Sequence, residues 1–377
     1  MQYRTFGRLD YKASALGFGA MRLPVLGGDS ARIDESQAIR MIRWAIDHGV
    51  NYVDTAYTYH GGNGEGVVGK ALGEGYRRRV KLATKLPCWM VESAGDFDRF
   101  LDEQLERLNT PTVDFYLLHS LSGGAWNGLR KLGVIDWADK QIARGRIGGL
   151  GFSFHDCYDA LEEIIDGYDR WALCQMQYNY MDQDNQAGTK GLKHAAGKGL
   201  AVVVMEPLRG GRLAAAPPPV AELWNTASRR RTPAEWGLQW VWDHSEVSVV
   251  LSGMSAMAQV LENVAAADRS SPNTLTQEER ALIQRVVRKY HELYPIPCTA
   301  CEYCVPCPNG VNIPRILALY NESTLYGDMG VSKYFYNRLP DKEKADNCKQ
   351  CSQCEERCPQ KISVADALAK AHQTLKD

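Results

Sequence analysis

The chain has 377 residues, of which 45% are hydrophobic and 24% are charged, and this balance excludes a largely disordered protein. Its formal net charge of -1 at pH 7 offers no basic field for phosphate backbones, so we expect no nucleic-acid partner. No apolar run approaches the roughly 20 residues of a membrane span, and the first ten residues lack the apolar stretch of a signal peptide. The composition therefore predicts a soluble, cytoplasmic protein with no membrane association.

Residues 1 to about 285 alternate short apolar, β-rich runs with longer amphipathic stretches, which is typical of a parallel sheet covered by helices. A hairpin is predicted before them, over Tyr3–Thr5 and the segment after Gly7. The runs predicted as strands are 15–19, 52–54, 80–85, 115–119, 147–152, 173–178, 201–205 and 247–251. Eight strand–helix units predict an α/β fold, a (β/α)8 TIM barrel, with an open doubly wound sheet as the alternative.

Two predicted helices illustrate this pattern, and a segment with two prolines marks where it ends. Glu35–His48 carries apolar residues at helical spacing and is followed by Gly49, a residue that commonly ends helices. Thr276–Leu293 is predicted as the last helix of the pattern, and the two prolines within 294–297 break it. We therefore expect two domains, a TIM barrel over residues 1–290 and a small, irregular second domain over 291–377.

Cysteine is concentrated near the end of the chain. Eight of the eleven cysteines fall between positions 298 and 358, in two runs whose neighbouring cysteines are separated by two or three residues. A chain without a secretory signal rarely carries a disulfide framework, so this spacing indicates thiolate ligands of a metal centre. The predicted ligands are Cys298, Cys301, Cys304, Cys307, Cys348, Cys351, Cys354 and Cys358.

The second run reads Cys-x2-Cys-x2-Cys-x3-Cys-Pro, the bacterial ferredoxin spacing for a [4Fe-4S] cluster, and the first run is one residue shorter before its last cysteine. In two-cluster ferredoxins the fourth cysteine of each run binds the other cluster. We therefore expect two [4Fe-4S] clusters, with Cys358 completing the cluster of the first run and Cys307 completing that of the second. Zinc is the alternative, but four-cysteine zinc sites usually draw on two separated cysteine pairs.

Polar side chains end three consecutive predicted strands. Asp54, Lys85 and His119 each terminate an apolar run, and Tyr59 follows Asp54 by five residues. Because the reactive residues of TIM barrels lie at the carboxyl ends of the strands, these four are predicted to meet at one mouth of the barrel. We expect Asp54 to pair with a buried Lys85, and the lysine ammonium to lower the pKa of Tyr59 so that the tyrosine acts as a general acid.

These four residues, in this order and on these strands, resemble the catalytic tetrad of the aldo-keto reductases. Segments such as 53–57 (VDTAY) and 114–119 (DFYLLH) extend the resemblance over about residues 1–290. With the cysteine runs, the whole chain is similar to microbial aldo-keto reductases that carry a C-terminal ferredoxin-like 4Fe-4S domain. The resemblance implies hydride transfer between NADPH or NADH and an aldehyde or ketone, with Tyr59 as the proton donor and His119 orienting the carbonyl.

The resemblance also implies a cofactor site. The residues that it places there are Gly19, Met21, Ser153, Gln175, Met205, Pro207, Leu208, Gly253, Gln259, Glu262 and Asn263. Ser153 and Gln175 are expected on the nicotinamide carboxamide, segment 205–208 beneath the ring and near the pyrophosphate, and segment 253–263 around the adenosine. The chain departs from the family where many members have an aromatic ring at Met205 and an arginine at Gln259 for the 2′-phosphate, so NADP and NAD both stay open.

Several other residues are expected to be structural. The Gly-x-Gly-x-x-Gly pattern at Gly64, Gly66 and Gly69 follows a barrel strand and lacks a well-placed acidic partner, so no dinucleotide site is predicted there. Three cysteines outside the runs are predicted to be buried thiols, and three histidines outside the tetrad are expected in loops or at the surface. The cysteines are Cys88, Cys157 and Cys174, and the histidines are His60, His155 and His194.

The aromatic residues near the predicted mouth of the barrel are the feature of the sequence that bears on the substrate. Tyr57, Trp89 and Trp126 suggest an apolar pocket rim for a small-molecule carbonyl substrate, with a cyclic or aromatic carbonyl as the expectation. Two functions stay open: a carbonyl reductase with structural clusters, and an electron-transfer protein that exchanges single electrons with a ferredoxin or flavodoxin-type partner. Nicotinamide exchanges a two-electron hydride and clusters exchange one electron, so coupling the two normally needs a further carrier.

Overall fold

The computed structural model of the protein describes residues 1–298, 303–326, 329–358 and 360–377. They divide into two compact units, which we call the barrel unit and the cysteine-rich unit. The barrel unit comprises Met1–Ala215 and Arg231–Thr276, and the cysteine-rich unit comprises Ala216–Arg230 and Gln277–Asp377. In the described ranges, no helix is both long enough and apolar enough to cross a membrane.

The barrel unit contains a closed barrel of eight parallel strands, which confirms the TIM-barrel prediction and shows that the open-sheet alternative is wrong. A hairpin of β1 (Tyr3–Phe6) and β2 (Leu9–Ser14) precedes the barrel. The barrel strands are β3 (Leu16–Gly19), β4 (Tyr52–Asp54), β5 (Lys81–Leu86), β6 (Val113–Leu121), β7 (Ile147–Phe154), β8 (Leu173–Gln177), β9 (Ala201–Met205) and β10 (Val247–Gly253). They follow one another in chain order, and β10 pairs with β3 to close the ring.

Helices cover the outside of the barrel because each turns an apolar stripe toward the strands. The first, α1 (Glu35–Asp47), agrees with its prediction and begins at Asp34, whose side chain accepts a hydrogen bond from the backbone of Gln37. The others in this unit are α2 (Gly64–Ala71), α3 (Gly95–Arg107), α4 (Gly123–Lys131), α5 (Val134–Ala143), α6 (Tyr158–Asp166), α7 (Gly188–Gly197), α9 (Pro233–Trp242) and α10 (Met257–Ala267).

The hairpin closes the end of the barrel at which the strands begin. Phe6 is fully buried and stacks on Phe115 of β6, with ring centroids 4.9 Å apart. Gly7 has a φ of 55°, and a Cβ there would lie 2.5 Å from the backbone nitrogen of Ala201, so only glycine fits this turn. This end is therefore filled by side chains, and the opposite end remains for ligands.

The cysteine-rich unit contains α8 (Pro218–Trp224), α11 (Gln277–Leu293), α12 (Ile313–Tyr326), α13 (Met329–Asn337), α14 (Gln353–Arg357) and α15 (Val364–Leu375). Its apolar core includes Ile316 and Leu317 of α12 and Leu368 of α15. Asn321 ties the chain before the first cysteine run to this core, because its side chain bonds both the N–H and the C=O of Ile296, at 3.1 and 2.7 Å.

Candidate active site and cysteine cluster

The structure brings the four predicted catalytic residues together at the carboxyl ends of neighbouring strands. Lys85 of β5 is completely buried, and its Nζ lies 2.7 Å from Oδ2 of Asp54 at the end of β4. The same Nζ donates to the backbone oxygen of Thr55 at 2.8 Å and to the hydroxyl of Tyr59 at 3.2 Å. One ammonium thus connects a carboxylate, a backbone carbonyl and a phenol.

The electrostatic balance of this group differs from the prediction in one respect. Burial alone would lower the pKa of Lys85, but Asp54 and Tyr59 more than offset it, so the net shift is upward and the lysine stays charged. Burial raises the pKa of Tyr59 above its usual value, and the Lys85 ammonium opposes this rise without cancelling it. The expected net lowering of the Tyr59 pKa is therefore wrong for the free protein, because the sequence could not show how deeply the phenol is buried.

His119 lies beside Tyr59, with ring centroids 5.9 Å apart and the planes nearly perpendicular. Burial, the Lys85 ammonium and the nearby His155 lower the pKa of His119 to about 3, so the imidazole is neutral at physiological pH. Its Nδ1 is buried and lacks a hydrogen-bond partner among the described residues. A buried nitrogen without a partner is costly, which marks this side of the ring as a place for a ligand or a water molecule.

A buried polar network lies behind Lys85, on the other side of β5. Glu65 of α2 is fully buried and accepts hydrogen bonds from Thr84 at 2.6 Å and from Gln104 of α3 at 2.7 Å. Gln104 also donates to the backbone oxygen of Lys85 at 3.1 Å, and Tyr116 of β6 donates to Gln104 at 2.7 Å. The network fixes the strand that carries the lysine, and no sequence signal had marked Glu65 or Gln104.

Of the three aromatic residues predicted at the pocket rim, only Trp89 fits that position. Its ring is 57% exposed and lies 5.0 Å from the ring of His119. Trp126 is completely buried against Trp171, and Tyr57 donates a 2.6 Å hydrogen bond to Glu103 of α3. The prediction for Trp126 and Tyr57 is wrong because an aromatic residue near a strand end can turn toward the covering helices as readily as toward the mouth.

The residues predicted to bind nicotinamide lie on three neighbouring strands. Ser153 of β7 is in register with Gln175 of β8, and the Nε2 of Gln175 lies 3.7 Å from the sulfur of Met205 at the end of β9. Ser153 accepts a 2.7 Å hydrogen bond from the backbone of Ser120. Oε1 of Gln175 is buried and has no partner in the described residues, so an acceptor is available for an amide donor such as the nicotinamide carboxamide.

The residues predicted nearer the adenosine follow β10. Gly253 pairs in register with Gly19 of β3, and Asn263 donates a 3.0 Å hydrogen bond to the buried Ser252. The Oε1 of Gln259 accepts a 2.8 Å hydrogen bond from the backbone N–H of Ser255, and the Glu262 carboxylate accepts one from the hydroxyl of Thr232.

The remaining predicted cofactor residues differ in their exposure. Met21 is 58% exposed, Pro207 is buried, and Leu208 packs against Gly237 of α9.

Two features of the mouth carried no sequence signal. Glu206 follows Met205 with a φ of 53°. Burial raises the pKa of Tyr59 and the Glu206 carboxylate adds a little to that rise, whereas burial lowers the pKa of His155 and the same carboxylate opposes that lowering. Arg22 follows β3 and is exposed. Strand-end residues stand out in a sequence because they interrupt apolar runs, whereas these two lie in polar loop segments.

The glycine and histidine interpretations have mixed outcomes. Gly64, Gly66 and Gly69 all lie within α2, so they form no strand-to-helix phosphate loop. His60 was expected in a loop or at the surface, but it is buried, and its Nε2 accepts a 3.1 Å hydrogen bond from the backbone of Leu23. His60 therefore lies in a loop, as expected, but not at the surface, because it ties the turn after Tyr59 to the segment after β3. His155 is exposed and His194 is half-buried.

Most of the predicted metal ligands are described, whereas Cys301 lies outside the described residues. Cys351 is exposed, and the other six are partly buried and pack against the core of the cysteine-rich unit. Those six are Cys298, Cys304, Cys307, Cys348, Cys354 and Cys358. In the described portion of the chain, no three ligand-type side chains meet closely enough to hold a metal ion.

The backbone conformation and the closeness of the cysteines in the second run are nevertheless compatible with several thiolates binding one cluster. Gln350 and Ser352 have positive φ values of 52° and 57°, and the backbone N–H of Gln350 points to Sγ of Cys348 at 3.5 Å. Cys348 and Cys307 both lie close enough to Cys354 to raise its pKa, after burial as the main cause. Cys307 of the first run thus lies within electrostatic range of Cys354 of the second run.

The three cysteines outside the runs divide differently from the prediction. Cys88 and Cys174 are buried, and burial raises the pKa of the Cys88 thiol to about 12. Cys157 is exposed just before α6, so its prediction as a buried thiol is wrong.

Comparison with known proteins identifies relatives for both parts of the chain. The family model described as "Aldo/keto reductase family" matches residues 15–288, and the one described as "4Fe-4S dicluster domain" matches residues 297–362. L-galactose dehydrogenase of Arabidopsis thaliana is 27% identical over 320 residues, which cover 78% of this chain and 96% of that protein. Methylglyoxal reductase YeaE of Escherichia coli is 31% identical over 169 residues, covering 43% of this chain and 56% of that protein.

Solved structures show the same similarity. The holo form of aldo-keto reductase AKR11C1 from Bacillus halodurans superposes with a TM-score of 0.64 at 28% identity, covering 76% of this chain and 96% of that one. An aldo-keto reductase from Klebsiella pneumoniae in complex with NADPH gives a TM-score of 0.61 at 27% identity, covering the same two shares.

Proposed function

The chain belongs to the aldo/keto reductase family and carries a 4Fe-4S domain, and we propose that it transfers a hydride between NADPH or NADH and an aldehyde or ketone. The observation that carries the proposal is the contact of one buried ammonium, Lys85, with both the Asp54 carboxylate and the Tyr59 hydroxyl. This arrangement holds a proton donor at the mouth of the barrel, and the neutral His119 lies beside it.

The chemistry of carbonyl reduction assigns each residue a role. The nicotinamide, when bound, supplies the hydride. Tyr59 gives its phenolic proton to the carbonyl oxygen as negative charge develops there, and Lys85 stabilises the phenolate that remains. Asp54 keeps Lys85 charged and in place. His119 donates a hydrogen bond to the same carbonyl oxygen, which a neutral imidazole can do without competing for the proton.

The residues present fit a nicotinamide cofactor. The partnerless Oε1 of Gln175, beside Ser153 and Met205, would hold the carboxamide and ring. Segments 205–208 and 253–263, together with Gly19 and Met21, would hold the pyrophosphate and adenosine. Gln259, Glu262 and Asn263 would line the adenosine end, and the NADPH bound to the Klebsiella pneumoniae relative supports this class of cofactor.

We propose two [4Fe-4S] clusters in the second domain, bound by Cys298, Cys301, Cys304 and Cys358 and by Cys348, Cys351, Cys354 and Cys307. The proximity of Cys307 to Cys354 supports the crossed assignment. We keep domain ranges of 1–290 and 291–377 as part of the proposal, and the family matches over residues 15–288 and 297–362 support a division between them. Thiolate-bound clusters and the free thiols of Cys88 and Cys174 suit a reducing, cytoplasmic compartment.

The test is the Tyr59→Phe variant of the anaerobically purified, full-length protein. We expect nicotinamide-dependent carbonyl reduction to fall by about 100-fold or more, because a positioned general acid contributes roughly that much. Nucleotide binding and iron content serve as controls and should stay unchanged. Turnover equal to that of the wild-type protein would refute the role of Tyr59.

A second candidate function is one-electron transfer to a ferredoxin or flavodoxin-type partner. The observation that favours it is the exposure of Cys351, which would bring the second cluster near the surface. Anaerobic mixing with NADPH separates the two functions. Bleaching of the cluster absorbance without added carbonyl would support electron exchange, and carbonyl turnover without bleaching would support structural clusters.

A further inference from the structure

Glu206 is an acidic residue at the mouth of the barrel that the proposed mechanism does not use. It follows Met205, the last residue of β9, and Met205 pairs in register with Gln177 of β8. Its side chain is exposed, and in the described ranges no cationic side chain forms an ion pair with it. The mouth therefore carries a negative charge that no described ion pair neutralises.

The backbone of Glu206 has a conformation that residues other than glycine rarely adopt. Its φ is 53° and that of Arg209 is 48°, both in the left-handed region. The loop after β8 holds both residues, because Asn179 donates to the backbone oxygen of Glu206 at 3.2 Å and Asp182 accepts from Nε of Arg209 at 3.0 Å. Such a conformation persists only where neighbouring contacts enforce it, so these contacts fix the backbone from which the Glu206 side chain extends.

Two groups on different sides of the barrel show where the Glu206 carboxylate lies. Tyr59 follows β4, which lies beyond β10 and β3 in one direction from β9, and His155 follows β7, which lies beyond β8 in the other. Burial is the main cause of the raised pKa of Tyr59 and of the lowered pKa of His155, and the carboxylate adds to the first and opposes the second. A carboxylate that acts on both sides lies over the opening of the barrel.

Charge indicates which ligand the carboxylate faces. The pyrophosphate of a nicotinamide cofactor is anionic, so a carboxylate directed at it would weaken binding. The carbonyl oxygen is proposed to bind between Tyr59 and His119, and His155 contributes, after burial and Lys85, to the lowered pKa of His119. Glu206 and His155 therefore flank the place of the carbonyl substrate.

The hydrogen-bonding groups at this side of the mouth are also defined. Gln186 donates to Nδ1 of His155 at 3.4 Å, so Nε2 carries the proton of the neutral ring. The mouth thus offers a donor at His155 and an anionic acceptor at Glu206. A hydroxyl group can bind both, a cation can bind the acceptor, and a carboxylate on the substrate is repelled by it.

We propose that Glu206 is a specificity-determining residue that disfavours carbonyl substrates with a negatively charged group and favours neutral or cationic ones. The inference rests on the proposed function and names the substrate class for it, a carbonyl compound without an acidic group. Oxo acids are therefore poor substrates, because their carboxylate would lie near that of Glu206.

The experiment compares three aldehydes of similar size, para-formylbenzoate, para-formylbenzamide and para-trimethylammonio-benzaldehyde, using the full-length, cluster-loaded protein under anaerobic conditions. The wild-type kcat/KM should rise from the anion to the amide and from the amide to the cation, by about fivefold at each step at low ionic strength. Glu206→Gln should reduce each step to less than about twofold. Added salt should reduce the steps of the wild-type protein as well. The matched control is Glu106→Gln, at an exposed glutamate of α3, which should keep the wild-type order.

The ratio between substrates is the decisive quantity, because any effect of Glu206 on the acidity of Tyr59 is common to all three aldehydes and cancels. A second measurement does not depend on turnover. Dissociation constants of the three aldehydes from the complex with the oxidised nucleotide, which has no hydride to give, should follow the same order and lose it in Glu206→Gln.

An equal change of kcat/KM for all three aldehydes in Glu206→Gln would overturn the proposal, and so would an order that the variant retains. A change confined to nucleotide affinity would also overturn it, because the carboxylate would then face the cofactor. Failure of the nucleotide-bound wild-type protein to reduce any of the aldehydes would instead refute the proposed function, and the order of the dissociation constants would still decide the role of Glu206.

Discussion

In the barrel unit three of the proposed catalytic side chains, Asp54, Tyr59 and Lys85, already contact one another, whereas in the cysteine-rich unit the described thiols of the two runs pack against an apolar core without forming a closed ligand set. The difference follows from what holds each group in place. Parallel strands in a closed barrel fix the positions of Asp54, Lys85 and His119 through backbone hydrogen bonds. Cysteines in loops have no such frame, so a bound metal cluster must supply the remaining order.

The largest expected effect is that of iron removal on the cysteine-rich unit alone. Chelation under reducing, anaerobic conditions should increase amide exchange in α12 and α15 by roughly 100-fold or more, because cluster binding contributes directly to folding. Exchange in β5 and α3 should not change. Hydrogen exchange with mass spectrometry measures both regions in one sample. Unchanged protection of α15 would show that the core around Leu368 is sufficient by itself.

Breaking the buried ion pair is expected to have the next largest effect, this time on the barrel. Lys85→Met leaves the Asp54 carboxylate buried without a cation, which should cost about 3 to 5 kcal/mol in the free energy of unfolding. The double variant Asp54→Asn/Lys85→Met should recover part of this loss while remaining inactive. Urea unfolding followed by tryptophan fluorescence measures the difference. Equal stability of the two variants would contradict the uncompensated charge.

A smaller effect is expected from Glu65→Gln, which keeps the shape of the network behind β5. Burial raises the pKa of Glu65, so the folded state favours the protonated acid, and the wild-type protein loses stability as pH rises from about 4.3 through the folded pKa. The variant has no such dependence. The free energy of unfolding of Glu65→Gln minus that of the wild type should therefore increase from pH 5 to pH 8. Parallel unfolding curves at these two pH values measure the shift, and a constant difference would contradict it.

The smallest expected effect is that of pH on carbonyl reduction. His119 has a pKa of about 3 and Tyr59 has a pKa above its usual value, so neither group changes protonation between pH 6 and pH 9. The value of kcat/KM should vary by less than about twofold in this range. An inflection near pH 6.5 that disappears in His119→Gln would show that the histidine titrates as an exposed group does.

The sequence predicts the barrel well because each strand is an apolar run and because three of the runs end in one polar residue. Asp54, Lys85 and His119 are visible for this reason. The pKa of Tyr59 could not be predicted in the same way, since its direction depends on whether burial or the neighbouring ammonium dominates. That comparison requires the depth of the side chain in the folded protein.

Side-chain direction is the second quantity that the sequence leaves out. Trp89 and Trp126 both follow strand ends, yet one lies at the mouth and the other is packed between helices. His60 and Arg22 show the same limit, because a single polar residue in a loop has no periodic pattern. The spacing of the cysteines is different, since short loops constrain the thiols enough for a ligand assignment to be proposed.

The hairpin at the base of the barrel has a consequence for the order of events in a catalytic cycle. Phe6, which stacks on Phe115, and Gly7, which lies against Ala201 of β9, fill that end of the barrel. Nucleotide and carbonyl compound must then share a single entrance, and the one that lies deeper has to arrive first and depart last. Steady-state kinetics should accordingly follow a compulsory sequence, with the oxidised nucleotide acting as a competitive inhibitor of the reduced one.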